Sequence, residues 1–398
     1  MSVPSDRRVT VVGAGAAGLM AAVRAAQCGA PVLLLERNDR PGVKLSITGK
    51  GRCNLTNDCD IEEFLQNCND RKFLRGALSR FSPQETISFF EKLGVPLVTE
   101  RGRRVFPRSE KAADIVGALV READRLGVER RKQRVTKPDF AKGPVIVTTG
   151  GLSYPKTGST GDGYEIARQA GHTVTPLSPS LVPLNSPDAF CAELQGLSLR
   201  NVTLRLVDGA EKTVYKEGPG EMLFTHFGLS GPLILSASAH WKEGCSVSID
   251  LKPGLTEQQL DARILRDFAK YTARELGNSL GDLLHKRMIS IIMTLAGADP
   301  RRRTAEVTKA ERFALLSSIK RFPVAVSGTR PIDEAVITRG GVCLKEIDPR
   351  AMRSKICKGL FFAGEVLDLD GYTGGYNLQI AWSTGYVAGE AAAGECLS

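Results

Sequence analysis

The first fifty residues combine two hydrophobic patterns. Val9 to Val12 form a short apolar run, and a glycine-rich turn then leads into an alanine-rich stretch whose periodicity predicts a helix. A second apolar run, PVLLLER, has the length of a strand and ends at Glu36. The pattern therefore predicts strand, tight turn, helix and strand, the βαβ unit that opens a doubly wound α/β fold.

The rest of the chain leaves this pattern and returns to it. Helices are predicted through 64–93 and 112–126, and a strand at 145–151. Short β-rich pieces and turn residues alternate over 180–251, which predicts an antiparallel sheet or a small barrel, and 256–320 favours helices. An apolar strand at 359–365, a glycine-rich turn and a helix from about Leu378 follow, so the two ends of the chain are expected to complete one sheet around an insertion.

Composition excludes several classes of protein. The 398 residues are 42% apolar and 25% charged, which is typical of a globular chain rather than a disordered one. We find no run of about 20 apolar residues, and the start, MSVPSDRRVT, lacks the apolar core of a signal peptide, so we expect a cytoplasmic protein without a membrane span. The nine cysteines are scattered without CxxC spacing, and we predict no metal site and no redox dithiol.

The basic character of the chain leaves two interpretations open. The net charge is +10, and basic residues cluster in three runs, which are Arg101–Arg108, Arg130–Lys137 and Arg301–Arg303. Such runs are most often solvated surface, and the alternative is a face that binds a polyanion such as RNA.

Gly13, Gly15 and Gly18 form a GxGxxG motif between the first strand and the first helix. The first glycine permits the tight turn, the second lets backbone amides approach a pyrophosphate, and the third lets helix and strand pack closely. Glu36 can accept hydrogen bonds from ribose hydroxyls and would repel a 2′-phosphate. The motif therefore disfavours NADP and leaves NAD and FAD.

The C-terminal stretch favours FAD. FAD is longer than NAD and needs a second glycine-rich wall near its flavin end, and the sequence offers Glu365, Gly374 and Gly375 ahead of a helix. The start of that helix can present amides to the flavin and stabilise the negative charge that reduction leaves there.

Five motifs make the chain resemble the YhiN/BaiN-like flavoproteins, also called the aminoacetone oxidase family. They are GAGAAGLMAA, KLSITGKGRCNLTN, TGGLSYPKTGSTGDGY, LFTHFGLSGP and GLFFAGEVLDLDGYTGGYNLQIAWSTG. The resemblance implies an FAD-binding Rossmann-like (GR2-type) domain of residues 1–180 and 340–398. It also implies an inserted antiparallel β-rich domain of residues 181–254 and 322–339 and an inserted helical domain of residues 255–321.

The resemblance also implies FAD contacts along the chain. They fall on Gly13, Gly15, Ala16, Ala17, Gly18, Glu36, Arg37, Lys44, Gly51, Arg52, Cys53, Asn54, Val135, Gly150, Gly364, Glu365, Gly375, Tyr376, Asn377 and Leu378. Val135 would contact the adenine, although residues 127–144 are shorter than the family pattern. Cys53 is interpreted as a small buried residue beside the cofactor rather than a redox group.

His226, in LFTHFGLSGP, is the candidate catalytic residue, because a histidine can donate or accept a proton near neutral pH. The alternative is a histidine that caps a turn. Gly228, Ser230 and Gly231 after it indicate close backbone approach. Tyr154, Lys156 and Thr157 are interpreted either as a ligand loop at the carboxyl end of a strand or as a structural turn.

Three hypotheses on function follow. The first is an FAD-dependent oxidoreductase that reduces uridine to dihydrouridine in ribosomal RNA, an activity associated with some relatives of this type. The second is an oxidase or reductase of a small amine or enone. The third is a non-catalytic RNA-binding protein that holds FAD structurally. Only one GxGxxG is present, so NAD(P)H would dock transiently as reductant.

Overall fold

The computed structural model describes residues 7–398, and the first six residues of the MSVPSDRRVT segment lie outside this range. The chain divides into two compact units. One unit contains the chain up to Ser180 and again from Ile332 to Ser398, and the other contains Leu181–Pro331. A segment that leaves and re-enters the first unit agrees with the interrupted pattern of the sequence.

Both units contain strands, most of them short, while β10 and β11 of the second unit are the long ones. The strands among residues 7–398 are β1 (Val9–Val12), β2 (Val32–Glu36), β3 (Thr56–Asn57), β4 (Leu97–Glu100), β5 (Arg104–Pro107), β6 (Glu129–Lys132), β7 (Val145–Val147), β8 (Ser178–Ser180), β9 (Leu184–Asn185), β10 (Ser198–Val207), β11 (Thr213–Thr225), β12 (Gly228–Ser230), β13 (Ser246–Asp250), β14 (Phe322–Val324), β15 (Gly328–Thr329), β16 (Ile337–Arg339), β17 (Ile347–Asp348), β18 (Arg353–Ser354) and β19 (Leu360–Phe362).

Helices flank these strands along the chain. They are α1 (Ala16–Gln27), α2 (Val43–Ile47), α3 (Ile61–Gln66), α4 (Arg71–Arg80), α5 (Pro83–Lys92), α6 (Ala112–Arg125), α7 (Asp162–Gln169), α8 (Phe190–Glu193), α9 (Pro232–Ser238), α10 (Glu257–Lys270), α11 (Lys286–Ala296), α12 (Lys309–Lys320) and α13 (Tyr376–Leu397). Within the described part of the chain, no helix has both the length and the apolar character that crossing a membrane requires.

The first unit is built on a seven-stranded sheet in the order β17-β18-β19-β7-β1-β2-β6. The five strands from β19 to β6 are parallel, and β17 and β18 extend the sheet antiparallel. The N-terminal strand thus lies beside strands from both later parts of the chain. This confirms the predicted doubly wound domain, which the first and last segments of the chain complete together.

Helices α1 and α13 pack unusually closely because both carry small residues at their contact. A Cβ on Gly385 would lie 2.4 Å from the carbonyl oxygen of Ala17, and a Cβ on Gly389 would lie 2.4 Å from that of Ala21. Only glycine permits this approach. The close contact brings the start of α13 toward the start of α1, and both helix starts carry glycine turns.

The second unit contains a seven-stranded antiparallel sheet in the order β14-β13-β10-β11-β12-β9-β15. This confirms the antiparallel sheet that the alternating pattern predicts. Apolar side chains of α10 to α12 and of the sheet form one core, in which Ile264 and Ile319 lie together with Ile249 and Phe322. The separation of this unit into a β-rich and a helical domain stays a prediction.

His172 is a fully buried histidine at the sheet edge of the first unit. Its Nε2 lies 2.7 Å from Ser354 Oγ and its Nδ1 lies 3.1 Å from a Glu346 carboxylate oxygen. Ser354 Oγ already accepts hydrogen bonds from the N–H groups of Ile356 and Cys357, so its own proton is directed to Nε2. Nδ1–H then donates to Glu346, and the neutral imidazole satisfies every partner.

Desolvation lowers the pKa of His172 from its usual value. The unfolded chain therefore binds a proton at this histidine more readily than the folded chain does. The stability that His172 contributes is present above its unfolded pKa, about 6.5, and is lost as the pH falls below that value.

We expect the free energy of unfolding to fall more between pH 7.5 and 5.5 in the wild type than in His172→Gln. Urea titrations at both pH values measure this, with exposed His226→Gln as control; equal pH dependence in wild type and His172→Gln would contradict it.

Candidate functional site

The glycine turn between β1 and α1 has the geometry that the GxGxxG motif predicts. Gly13 has φ +100°, in the left-handed region, and its N–H donates to the Leu35 carbonyl at 2.8 Å. A Cβ on Gly18 would lie 1.8 Å from the carbonyl oxygen of Gly13. A Cβ on Gly15 would meet no atom within 4 Å. The first and third glycines thus serve the fold, and the second faces open space.

The start of α1 is electrostatically suited to an anion. Gly15 caps the helix without a side-chain hydrogen bond, and no acidic residue lies in the first turn. The amides of Ala16, Ala17 and Gly18 belong to that turn, where a helix offers N–H groups and partial positive charge. A diphosphate at the start of α1 would meet no carboxylate from the first turn of the helix itself.

Glu36 is fixed at the end of β2 by backbone hydrogen bonds. Its Oε2 accepts from Ala14 N–H and its Oε1 from Asn38 N–H, both at 2.8 Å. The N–H of Gln133, directly after β6, donates to the Glu36 carbonyl at 2.7 Å, and buried Val135 follows two residues later. Val135 therefore follows closely after the strand end that carries Glu36, and its contact with the adenine stays a prediction. Arg37 follows Glu36 in the chain, and a nitrogen of its guanidinium lies 3.4 Å from a carboxylate oxygen of Asp162.

The segment of residues 44–57, a loop between α2 and β3 together with these two elements, is attached to the start of α13. The Asn54 side chain accepts from Gly375 N–H at 3.0 Å and donates to the Thr56 carbonyl at 3.3 Å. Thr56 Oγ1 donates to Gln379 of α13 at 2.6 Å. A Cβ on Gly375 would lie 2.4 Å from the Thr56 carbonyl oxygen, and Gly375 has φ +102°. The loop and the C-terminal glycine turn therefore form one wall.

Asn377 and Gly364 shape the rest of this wall. The Asn377 side chain accepts from the N–H of Gly371 and donates to its carbonyl, both at 2.8 Å, which closes the turn before α13. Gly364, with φ +77°, lies against α1, since a Cβ there would be 2.7 Å from the Ala17 Cβ. Tyr376 is buried with its ring edge-on to Phe64, and burial raises its pKa. Leu378 packs against the core beside them.

A partly buried ion pair joins the loop to the end of β19. Lys44 Nζ donates to Glu365 Oε2 and to Ser153 Oγ, both at 2.6 Å. Glu365 Oε1 accepts from Ser153 Oγ at 2.8 Å and from Thr338 N–H at 3.0 Å. Both carboxylate oxygens of Glu365 are therefore held by residues of the protein. The sequence predicts Lys44 and Glu365 as separate FAD contacts, and the structure shows that the two side chains pair with each other.

Cys53 is completely buried, and burial raises the pKa of its thiol to about 12. A thiol with so high a pKa is protonated at neutral pH and is a poor nucleophile. Its neighbours Gly51 and Arg52 lie in the same loop, and Arg52 pairs with Glu110 at 2.9 Å and with Glu100. Gly150, with φ +74°, lies after β7 close to Ser159. These features support a structural interpretation of Cys53.

The second unit holds His226. This histidine is exposed in the two-residue turn between β11 and β12, and its ring lies edge-on to Phe227 at 5.0 Å. Gly228 and Ser230 belong to β12, and Gly231, with φ +94°, caps α9. The role of His226, as a proton donor or as a turn residue, stays a prediction.

The loop of Tyr154, Lys156 and Thr157 lies in the first unit. Tyr154 has φ +53°, which is uncommon for a bulky residue, and the Lys44 ammonium is 6.0 Å from its ring centroid. Asn38 donates to the Thr157 carbonyl at 2.9 Å, so the loop reaches the strand end of Glu36.

Several residues of this site are not singled out as site residues by the sequence, although Asn57 and Ser153 lie inside two of the five motifs. Thr148 places its hydroxyl 2.9 and 2.8 Å from the carbonyl oxygens of Val12 and Gly13 and so supports the first glycine turn. Buried Asn57 donates to the Gly374 carbonyl at 3.1 Å. Ser153 and Thr338 complete the Lys44–Glu365 pair. The signal that indicates them is position, because Thr148 and Ser153 follow strand β7 at the carboxyl edge of the sheet.

These observations fit FAD. The open space at Gly15, the uncapped start of α1 and the acid at the end of β2 match a dinucleotide. The glycine turn before α13 supplies a wall beyond it, which the longer cofactor requires. Among residues 7–398, no group of three or more His, Cys, Asp or Glu side chains is arranged to hold a metal ion. The fold and site therefore define an FAD-dependent oxidoreductase.

The chain belongs to the family described as HI0933-like protein Rossmann domain, whose model matches residues 7–391. This confirms the resemblance drawn from the five motifs. The chain is 32% identical to a 3-dehydro-bile acid delta(4,6)-reductase of Clostridium scindens, over 97% of this chain and 99% of that protein. It is 33% identical to a ribosomal RNA dihydrouridine synthase of Escherichia coli K12, over 96% of each.

A solved structure supports the fold alone. The 3-ketosteroid-delta4-(5alpha)-dehydrogenase from Rhodococcus jostii RHA1, in complex with 4-androstene-3,17-dione, is similar with a TM-score of 0.51 and 16% identity. The match covers 97% of this chain and 96% of that one.

Proposed function

We propose that this protein is an FAD-dependent reductase of a carbon–carbon double bond conjugated to a carbonyl, and that its substrate is a uridine of ribosomal RNA. The observation that carries the proposal is the near full-length similarity to the Escherichia coli dihydrouridine synthase, 33% identical over 96% of each chain. A similarly named Haemophilus influenzae protein is 32% identical. Uracil has a double bond conjugated to a carbonyl, which is the bond that forming dihydrouridine saturates.

Residues of the two glycine turns would hold the cofactor. Gly13, Gly15 and the amides of α1 would bind the diphosphate, Glu36 would accept from the adenosine ribose, and the loop of Asn54 with the start of α13 would contact the flavin end. Once reduced by NADH or NADPH, the bound flavin would supply a hydride to an electron-poor carbon of the substrate. The positive end of α13 would stabilise the negative charge on the reduced cofactor, and no acidic residue in its first turn opposes this. NADH or NADPH is the proposed reductant and docks transiently.

The name of another relative favours a second substrate class. The Clostridium scindens protein, 32% identical over 97% of this chain, is named for reduction of a bile acid. Its name and that of the dihydrouridine synthase both describe reduction of carbon–carbon double bonds. A small enone is therefore the alternative substrate, and the same flavin site would serve it.

Nucleoside mass spectrometry of ribosomal RNA tests the proposal. We expect a deletion strain to lose dihydrouridine from its ribosomal RNA and to regain it from a plasmid copy. Purified protein with NADH or NADPH should then form dihydrouridine in RNA isolated from that strain. Unchanged dihydrouridine in the deletion strain would refute the RNA substrate, and turnover of an enone steroid by the same protein would establish the second class.

His226 is the proposed proton donor to the substrate carbon that does not receive the hydride. A proton donor typically contributes 100- to 10,000-fold to the rate. We expect His226→Asn to lower kcat at least about 100-fold while reduction of the bound flavin by NAD(P)H keeps its rate. Stopped-flow measurement of the two half-reactions separates these steps. His285→Asn, a substitution at another exposed histidine, serves as control, and equal kcat for His226→Asn and wild type would refute the role.

A further inference from the structure

The three basic runs of the chain differ in how far acidic residues neutralise them. In the run of residues 130–137, Arg130, Arg131, Lys132 and Arg134 each pair with a carboxylate. Carboxylates therefore neutralise most of that run, and Lys137 is its basic residue outside these pairs. In the other two runs, exposed Arg101 and Arg301 form no ion pair with any residue of the described chain, 7–398.

Arg101 belongs to a strained and exposed turn, Arg101–Arg103, between β4 and β5. Gly102 has φ +74° and Arg103 has φ +57°, so two successive residues are left-handed, one of them a bulky arginine. Such backbone strain typically persists where the surrounding structure enforces it, often at functional sites. Arg103 pairs with Glu63, but their side chains are 56% and 46% exposed, so the pair is weak and can exchange for another anion.

A single buried side chain holds this turn against the glycine turn at the start of α13. Asn57 Nδ2 donates to the Gly102 carbonyl at 3.0 Å and to the Gly374 carbonyl at 3.1 Å. Asp58 N–H donates to the Arg103 carbonyl at 2.8 Å, which fixes the other side of the turn. The two arginines therefore lie at the rim of the glycine turn that forms the proposed flavin wall.

We infer that Arg101 and Arg103 bind the phosphate backbone of a single-stranded RNA segment whose base enters at the Gly374–Gly375 turn. Guanidinium groups bind phosphate oxygens through paired hydrogen bonds, and phosphate contacts fix the register of a nucleic acid without reading its sequence. Single-stranded RNA can present an unstacked base while its backbone is held in this way. The inference rests on the proposed function and names the surface that recruits its substrate.

Charge reversal at the turn tests the inference. The FAD-loaded protein is titrated with a fluorescent, uridine-rich single-stranded RNA of fifteen nucleotides over a range of salt concentrations. We expect Arg101→Glu/Arg103→Glu to weaken binding at least about tenfold. The slope of log K against log salt should become shallower by about 1.4, because each of the two lost phosphate contacts contributes about 0.7 on a single strand. Arg301→Glu/Arg303→Glu reverses two exposed arginines of another run and so makes the same charge change. It should leave both the affinity and the slope close to wild type. FAD content and flavin reduction by NAD(P)H should be unchanged in all variants.

Each outcome separates the inference from the proposed function. Equal weakening by Arg301→Glu/Arg303→Glu, or wild-type binding by Arg101→Glu/Arg103→Glu, would overturn the role of the turn while dihydrouridine loss in the deletion strain still supported the function. Failure of wild-type protein to bind RNA, with dihydrouridine unchanged in the deletion strain, would overturn both. If Arg101→Glu/Arg103→Glu unfolds, Arg101→Ala replaces it in the test, because the Arg101 side chain forms no ion pair in the described chain. We then expect RNA binding to weaken by a smaller factor.

Discussion

Gly15→Val is expected to remove FAD from the protein without unfolding it. A side chain on Gly15 meets no atom of the protein within 4 Å, and the residue has φ −80°, which valine adopts readily. The added methyl groups would occupy the space in which the diphosphate approaches the backbone. We expect the Kd for FAD to rise at least about 100-fold, which corresponds to about 2.7 kcal/mol. Absorbance in the flavin bands and titration of the apoprotein with FAD measure this.

Two comparisons make the Gly15 experiment specific. Gly254→Val adds the same side chain at another glycine whose Cβ would meet no atom within 4 Å, and it should bind FAD as the wild type does. Loss of the glycine N-cap costs the Gly15→Val protein at most about 1 kcal/mol, so its melting temperature as apoprotein should stay close to that of wild-type apoprotein. A yellow Gly15→Val protein with normal FAD content would refute the placement of the diphosphate at this turn.

Local sequence predicts the parts of this site that depend on neighbouring residues. Strand, turn and helix follow one another at residues 9–27, and the spacing of Gly13 and Gly18 specifies their contacts because the turn closes within six residues. The second glycine turn is equally local, since Gly375 precedes the helix that it caps. These parts of the fold and of the candidate site were therefore predictable, together with Glu36 at the end of β2.

Contacts across the chain were not predictable in the same way. Lys44 and Glu365 are 321 positions apart, and their pairing depends on β19 lying beside β7 in the closed sheet. Asn57 ends the motif KLSITGKGRCNLTN, but the motif alone does not show that its position in β3 lets one amide join two turns. The core that α10 to α12 share with the antiparallel sheet of the second unit was not predictable either. A periodic pattern predicts a helix but not the surface against which the helix packs.

Lys44→Met is expected to cost the first unit about 3 kcal/mol of unfolding free energy, because it leaves Glu365 partly buried without its cation. The two side chains are 21% and 14% exposed, and Ser153 and Thr338 hold the carboxylate in place. Lys132→Met is the matched control, since Lys132 and Asp39 are 62% and 83% exposed and their pair should contribute at most about 1 kcal/mol. Guanidinium titrations of the apoproteins at pH 7.5 exclude any effect of altered FAD affinity. Combining Lys44→Met with Glu365→Gln removes the uncompensated charge and should recover part of the loss. Equal stability of Lys44→Met and Lys132→Met would show that the Lys44–Glu365 pair does not stabilise the fold.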